Sequence, residues 1–174
     1  MNNRVYLISP DDVKAISNIN YNVDDIDVSS AIRTAQNIYL RDIIGDKLLE
    51  SLQEMVSANT IDNVENAAYK ELLDVYVSDY LAYEAMVQAL IPISFKIRNI
   101  GISQDYDSNI VASQMQTILD VEDWYRTQSI DKCNRMIKFI RSNRAAFPEL
   151  EIRCICGDGE PHLKLRANTQ LYLG

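Results

Sequence analysis

The sequence contains little glycine, proline, histidine or cysteine, and each shortage excludes a class of protein. Five glycines and four prolines in 174 residues are too few for a fold with many tight turns, so we expect a mainly helical protein. The single histidine, His162, leaves no serine–histidine–acid arrangement to propose, and we expect no enzymatic activity. The three cysteines are an odd number, which argues against a disulfide framework.

Long apolar runs are missing as well. No stretch approaches the roughly 18 uninterrupted apolar residues of a membrane-spanning helix. The first residues, MNNRVYLISPDD, lack the basic region and apolar run of a secretory signal. We therefore expect a soluble protein that is made in a cytoplasm, has one core and does not bind membranes.

Acidic residues dominate the first part of the chain. Residues 1–108 carry 17 acids and 8 bases, whereas residues 109–174 carry 8 acids and 9 bases. A net charge of −8 argues against a basic face that grips nucleic acid phosphates. It leaves open a protein that surrounds DNA without binding it.

The first helices can be placed from capping residues and apolar spacing. SPDD at Ser9 predicts a helix over about residues 10–17, with acids near its N-terminus. A second helix is predicted over about residues 27–41, with Asp24, Asp27 or Ser29 as its cap. Its apolar positions step by three and four residues, which predicts one buried face: Val28, Ala31, Ile32, Ala35, Ile38 and Tyr39.

Gly45 interrupts this apolar pattern. A left-handed glycine after DII would end one helix, and Asp46 would begin another that carries Leu48, Leu49 and Leu52. Two helices would then meet at a corner. The alternative is one continuous helix that tolerates the glycine at a cost of about 1 kcal/mol against alanine.

Two long helices are predicted, with an extended arm between them. The first covers about residues 64–91 and stops at Pro92, because a proline disfavours helical backbone in the residue before it. Alternating apolar residues from Ile91 predict a β-like arm over about residues 91–107. The second long helix covers about residues 108–144 and would pack antiparallel to the first. The first has an apolar face predicted to be buried: Ala68, Leu72, Val75, Tyr76, Tyr80, Tyr83, Val87 and Leu90.

The last residues have a different character. LEIRCIC and HLKLR alternate like strands around a GDGEP turn, so we divide the chain into a helical domain, residues 1–150, and an extended tail, residues 151–174. The tail has too little apolar mass for its own core. An exposed strand of this kind usually pairs with another chain.

Two patterns have both a chemical and a structural interpretation. Cys154, Cys156 and His162 could bind zinc, with Cys133 or an acid as a fourth ligand, but we favour reduced, buried cysteines and predict no metal or cofactor. Lys132, Arg135, Lys138 and Arg141 form a basic stripe. It is either a solvated helix face or a docking surface for an acidic partner.

The order of these elements resembles the head-to-tail connector proteins of tailed bacteriophages. The resemblance is strongest to the ring-forming adaptors of Bacteroides-infecting, crAss-like phages, and it covers most of the chain. Its clearest local part is the pattern A-x-x-x-A-Q-x-x-Y-L-x-x-I-I-G-x-x-L, a set of packing residues: Ala31, Ala35, Gln36, Tyr39, Leu40, Ile44, Gly45, Leu48 and Leu52.

The resemblance implies a structural virion protein at the head–tail junction, assembled in the host cytoplasm. Such connectors form a ring of about twelve copies between the portal protein and the tail or further ring proteins, and DNA passes through without specific binding. Their arms and tails reach neighbouring subunits or the portal. Here the residues implied at such contacts are Ile93, Phe95, Ile97, Ile152, Ile155, Leu163, Leu165, Leu171 and Tyr172.

A lumen of like charge disfavours tight phosphate contacts. We therefore expect some acidic residues to face the channel, with these candidates: Asp24, Asp25, Asp27, Asp105 and Asp107. Two alternatives to a connector stay open, a small metal-binding accessory protein and an acidic helical protein-binding module.

Overall fold

A computed structural model describes residues 5–17, 23–94, 97–98, 101–102 and 111–150. Within these ranges the protein is mainly helical, which confirms the prediction from composition. The elements in chain order are α1 (Pro10–Ser17), α2 (Asp25–Thr34), a first π-helical turn (Ala35–Leu40), α3 (Arg41–Ile44), α4 (Asp46–Ser57), a 3-10 turn (Val64–Asn66), α5 (Ala67–Glu71), a second π-helical turn (Leu72–Val77), α6 (Ser78–Ser94), strands β1 (Ile97–Arg98) and β2 (Gly101–Ile102), α7 (Val111–Ser142) and a 3-10 turn (Arg144–Ala146).

The starts of α1 and α2 are fixed by side-chain caps. Ser9 and Asp12 exchange hydrogen bonds, with the Ser9 amide donating to Asp12 Oδ2 at 2.9 Å and the Asp12 amide to Ser9 Oγ at 3.2 Å. The Ile26 amide donates to Asp24 Oδ1 at 3.0 Å, so Asp24 is the cap of α2. These bonds satisfy amides that the first helical turn leaves without intrahelical partners.

Gly45 forms the predicted corner between α3 and α4. Its φ of 84° and ψ of 164° put it in a region that essentially only glycine adopts. The ψ value differs from that of a left-handed helical cap, so the predicted cap geometry is wrong although the break in the helix is where it was predicted. Leu48, Leu49 and Leu52 of α4 are fully buried in the core.

The helices α6 and α7 pack side by side, and their contacts run in opposite order along the two segments. Tyr83, in the second turn of α6, contacts Tyr125, with ring centroids 6.3 Å apart. Before α6 begins, Tyr76 stacks on Phe139 at 4.4 Å. The core lies between this pair and α2, since both α2 and α1 pack on α6.

The first part of the predicted arm is helical. The prediction that the helix stops before Pro92 and that the arm begins at residue 91 is wrong, because α6 continues through Pro92 to Ser94. Pro92 lies in the last turn of α6 and is exposed, and its missing amide hydrogen removes one intrahelical hydrogen bond near the end of the helix. Ile93 packs against the core, which favours one more helical turn. Beyond α6, the described residues of the arm pair antiparallel, Ile97 with Ile102 and Arg98 with Gly101.

Candidate protein interaction surface

A groove of about 500 Å³ lies between the second π-helical turn, the start of α6 and the last turns of α7. Its apolar part is formed by Val75 and by the stacked rings of Tyr76 and Phe139. Three cations, Lys132, Arg135 and Lys138, and one carboxylate, Asp79, complete the main lining. We call this the basic groove.

Two of the three cations of the basic groove pair with acids. Lys132 Nζ lies 2.6 Å from Asp79 Oδ2, and Arg135 Nε lies 2.9 Å from Asp131 Oδ2 one helical turn away. Lys132 also lies 5.7 Å from the centre of the Tyr83 ring, which favours a cation. Three of the four residues of the predicted basic stripe thus line a groove, whereas the fourth, Arg141, is exposed on α7 outside that lining.

The second π-helical turn explains why the groove has an apolar edge. The spacing of a regular α-helix predicts that Val75 is buried, and this prediction is wrong, because 53 % of Val75 is exposed. A π turn contains more residues than an α turn, so the chain buries Leu72, Leu73 and Val77 and rotates Val75 outward.

The first π-helical turn has the same effect on α2. Ile38 and Tyr39 were predicted on the buried face, but they are 54 % and 40 % exposed. The longer turn brings Gln36 and Leu40 into the core in their place. Two neighbouring apolar side chains therefore lie at the surface of a helix whose opposite face is fully packed.

Gln36 is buried because it has a specific structural role. Its Oε1 accepts a hydrogen bond from the Leu7 amide at 2.9 Å, and its Nε2 donates to the Val5 carbonyl at 3.0 Å. Gln53 Nε2 donates to the same carbonyl at 3.1 Å. Gln36 thus attaches the N-terminal segment to the core, a role that apolar periodicity alone does not reveal.

A buried polar cluster connects α6 and α7 beside the groove. Ser129 Oγ donates to Glu84 Oε2 at 2.6 Å, and Gln88 Nε2 donates to Glu84 Oε1 at 2.9 Å. Burial, and then the nearby Glu84, raise the pKa of the Cys133 thiol to about 12. A thiol that stays protonated at neutral pH is suited to packing rather than to nucleophilic attack. Burial also raises the pKa of Tyr80, with Glu84 as a further cause.

The acidic residues near the start of α2 have local structural partners. Asp24 caps α2, and Asp25 Oδ1 lies 2.5 Å from Lys14 Nζ of α1. Ile26 stands between these acids and Asp27, and 76 % of its surface is exposed. The pair Val23 and Val28 packs against the core in its place, at the positions of a hydrophobic staple.

Most of the residues predicted for subunit contacts, and several predicted for the channel wall or a zinc site, lie outside the described part of the chain. These are Phe95, Asp105, Asp107, Ile152, Cys154, Ile155, Cys156, His162, Leu163, Leu165, Leu171 and Tyr172. Ile97 is described only as part of β1. Ile93 packs against the subunit's own core, so it is not part of an extended arm.

Across residues 5–17, 23–94, 97–98, 101–102 and 111–150, no three histidine, cysteine or acidic side chains are grouped so that they could hold a metal ion. The same ranges contain no helix that is long and apolar enough to cross a membrane.

Comparison with known proteins gives one match. The model of a protein family described as of unknown function, DUF6712, matches residues 40–159. These residues include the second π-helical turn, the basic groove and the Glu84 cluster, whereas the acidic turn around Ile26 precedes them. No curated protein matches, and no solved structure matches.

Proposed function

The chain belongs to the DUF6712 family of unknown function, and we propose that it is a structural virion protein, a head-to-tail connector of a tailed bacteriophage. In this proposal it forms an oligomeric ring between the portal protein and the tail, and DNA passes through the ring. The proposal rests on the resemblance in the order of the elements and in the pattern from Ala31 to Leu52. It assigns the protein to the virion and gives it no catalytic step.

The observation that carries the proposal is the pair of π-helical turns. π-Helical turns are rare and are frequently found at functional sites. In this chain each of them turns apolar side chains outward, Ile38 and Tyr39 in one case and Val75 in the other. A subunit that must be covered by neighbours needs such side chains at its surface.

The finer architecture belongs to the same proposal. We propose a bundle of two long antiparallel helices crossed by short N-terminal helices, with a β-like arm and the tail of residues 151–174 reaching neighbouring subunits or the portal. The arm then begins after Ser94 rather than at residue 91. Extended segments cannot offset their ordering entropy alone, so we expect both segments to become ordered when the ring assembles.

We also propose that acidic residues keep DNA from adhering to the channel wall, because like charges disfavour tight phosphate contacts. Of the five candidates, Asp24 and Asp25 cap or pair within their own subunit. The remaining candidates are Asp27 of α2 and Asp105 and Asp107 of the arm.

The mass of the assembly tests this function. We expect native mass spectrometry of the chain mixed with the portal protein of its own phage to give portal complexes that carry a ring of about twelve copies. A chain that stays monomeric and leaves the portal mass unchanged would refute the connector. Truncation at Pro148 tests the role of the tail. If the shortened chain still forms stable rings on the portal, the tail is not required for ring assembly.

Two measurements separate the connector from its alternatives. Zinc that copurifies in a fixed ratio to protein would favour a metal site at Cys154, Cys156 and His162. An acidic binding module would stay monomeric in light scattering both alone and with the portal, and it would use the basic groove for an unrelated partner.

A further inference from the structure

We propose that the basic groove of one copy binds the acidic turn around Ile26 of a second copy, and that this contact joins adjacent subunits. The inference rests on the proposed ring and deepens it by naming the two surfaces that meet. It follows from four properties of the described residues: shape, apolar character, charge and position.

The groove and the turn match in apolar character. Ile26 is the most exposed apolar side chain of α2, at 76 %, and it lies in a turn whose own staple is formed by Val23 and Val28. The groove of about 500 Å³ offers Val75 and the stacked rings of Tyr76 and Phe139. One isoleucine side chain with its flanking carboxylates fits such a volume, and burial of Ile26 and Val75 against each other removes apolar surface from water.

The two surfaces also match in charge. Ile26 is flanked by Asp24, Asp25 and Asp27, with Lys14 as the nearby cation. The groove carries Lys132, Arg135 and Lys138 against two acids, Asp79 beside Lys132 and Asp131 beside Arg135. Each surface thus has an excess of one sign, and the signs are opposite, which aligns the copies and accelerates their encounter.

The acidic turn and the far end of the groove lie at different positions along α7, so the turn of one chain does not reach Lys138 of its own groove. Asp25 pairs with Lys14 of α1, and Ser17 at the end of α1 accepts a hydrogen bond from the Tyr125 hydroxyl at 3.2 Å. The acidic turn around Ile26 therefore lies close to Tyr125 of α7. Lys138 is 13 positions further along this continuous helix, or about 20 Å away at the usual helical rise.

A contact between two different patches repeats from copy to copy. Such a head-to-tail interface gives a ring if the rotation between copies closes, and an open filament if it does not. The acidic turn and the basic groove therefore supply the kind of interface that a ring subunit requires, and a symmetric dimer interface would not.

Disulfide trapping tests the contact in the full chain. Ile26→Cys and Val75→Cys are placed in separate copies, each also carrying Cys154→Ser and Cys156→Ser, and the copies are mixed under mild oxidation. Val64→Cys is the matched control for Val75→Cys, because Val64 is an exposed valine at the start of another helical turn. We call the disulfide that joins positions 26 and 75 of two copies the 26–75 product, and the disulfide that joins positions 26 and 64 the 26–64 product. We expect the 26–75 product to form about ten times faster than the 26–64 product at low ionic strength.

Two further comparisons examine charge. Lys138→Glu in the groove copy should lower the rate of the 26–75 product, whereas Arg141→Glu, an exposed change on the same helix outside the groove, should leave it nearly unchanged. At about 1 M salt, where charges are screened within a few ångströms, the 26–75 rate should approach the control rate. Equal rates for the 26–75 and 26–64 products at low salt would overturn the contact.

The outcome is independent of the test of the connector itself. Rings on the portal without preferential 26–75 trapping would place the subunit contact elsewhere and leave the proposed function standing. Preferential trapping without any portal ring would support the contact and refute the connector. A double variant, Ile26→Cys with Val75→Cys in one chain, should give a ladder of multimers, and a product that stops at the dimer would overturn the head-to-tail arrangement.

Discussion

Substitution of Ser129 by alanine should destabilise the subunit, because Ser129 holds a buried acid between α6 and α7. The change removes the hydroxyl that donates to Glu84 Oε2 at 2.6 Å, and Glu84 is only 7 % exposed. The Gln88 amide would be its remaining hydrogen-bond donor among the described residues. A buried polar group without its partner costs about 1–3 kcal/mol, whereas alanine regains a few tenths of a kcal/mol of helix propensity.

We therefore expect the free energy of unfolding to fall by about 2 kcal/mol, which lowers the melting temperature of a domain of this size by about 4–8 °C. Guanidinium unfolding followed by circular dichroism measures it. Ser30→Ala is the matched control, an exposed serine in α2. A double-mutant cycle with Glu84→Gln isolates the pair. A loss under about 0.5 kcal/mol, or one equal to the control, would refute the reasoning.

Three further predictions concern the corner, the buried phenol and the first π-helical turn. Gly45→Ala should lower the free energy of unfolding by about 1–3 kcal/mol, because φ is 84° there although no atom lies within 4 Å of the added methyl group; an unchanged denaturation midpoint would contradict this. Burial raises the pKa of Tyr80 above the usual value of a tyrosine, about 10, so just above pH 10 only the unfolded chain ionises this phenol. The free energy of unfolding should therefore fall as pH rises there, and denaturant titrations at several pH values should show a shallower fall for Tyr80→Phe. Ile38→Ser with Tyr39→Ser should change the unfolding free energy by less than about 1 kcal/mol yet weaken ring formation on the portal, as native mass spectrometry can measure.

Regular apolar spacing predicts much of this fold. Asp24 as one of three candidate caps, the corner at Gly45 and the helix that follows it all agree with local residue preferences, because a capping side chain and a glycine at positive φ act on neighbouring residues only. The start of α2 lies two residues before its predicted position. The end of α7 lies within two residues of its predicted position. Each of these features is determined within one or two helical turns.

The two π-helical turns could not be predicted in this way. Ile38 and Val75 fit a regular α-helical face, and the same spacing is compatible with a π turn, so only packing against α6 and α7 decides between them. Pro92 shows the same limit, because tertiary contacts of Ile93 extend a helix that local preference would end. Ser129 looks like a weak helix former in the sequence, whereas its hydroxyl bonds to a residue 45 positions away.

The candidate surface was predicted in part. The spacing of Lys132, Arg135 and Lys138 indicates a basic face, but the apolar edge at Val75 depends on the second π-helical turn and was missed. Ile26 was missed as well, although an exposed apolar residue between three acids in the first turn of a helix is a signal that could have identified it. The residues of the arm and tail lie mostly outside the described ranges, and their contacts stay predictions.

The most direct test of the central claim is an electron-microscopy image of this chain bound to the portal protein of its own phage. The account predicts a closed ring of about twelve copies stacked coaxially on the portal, with an open central channel. A portal that carries no added density, or isolated copies bound at its outer surface without a ring, would contradict the claim that this protein is a connector.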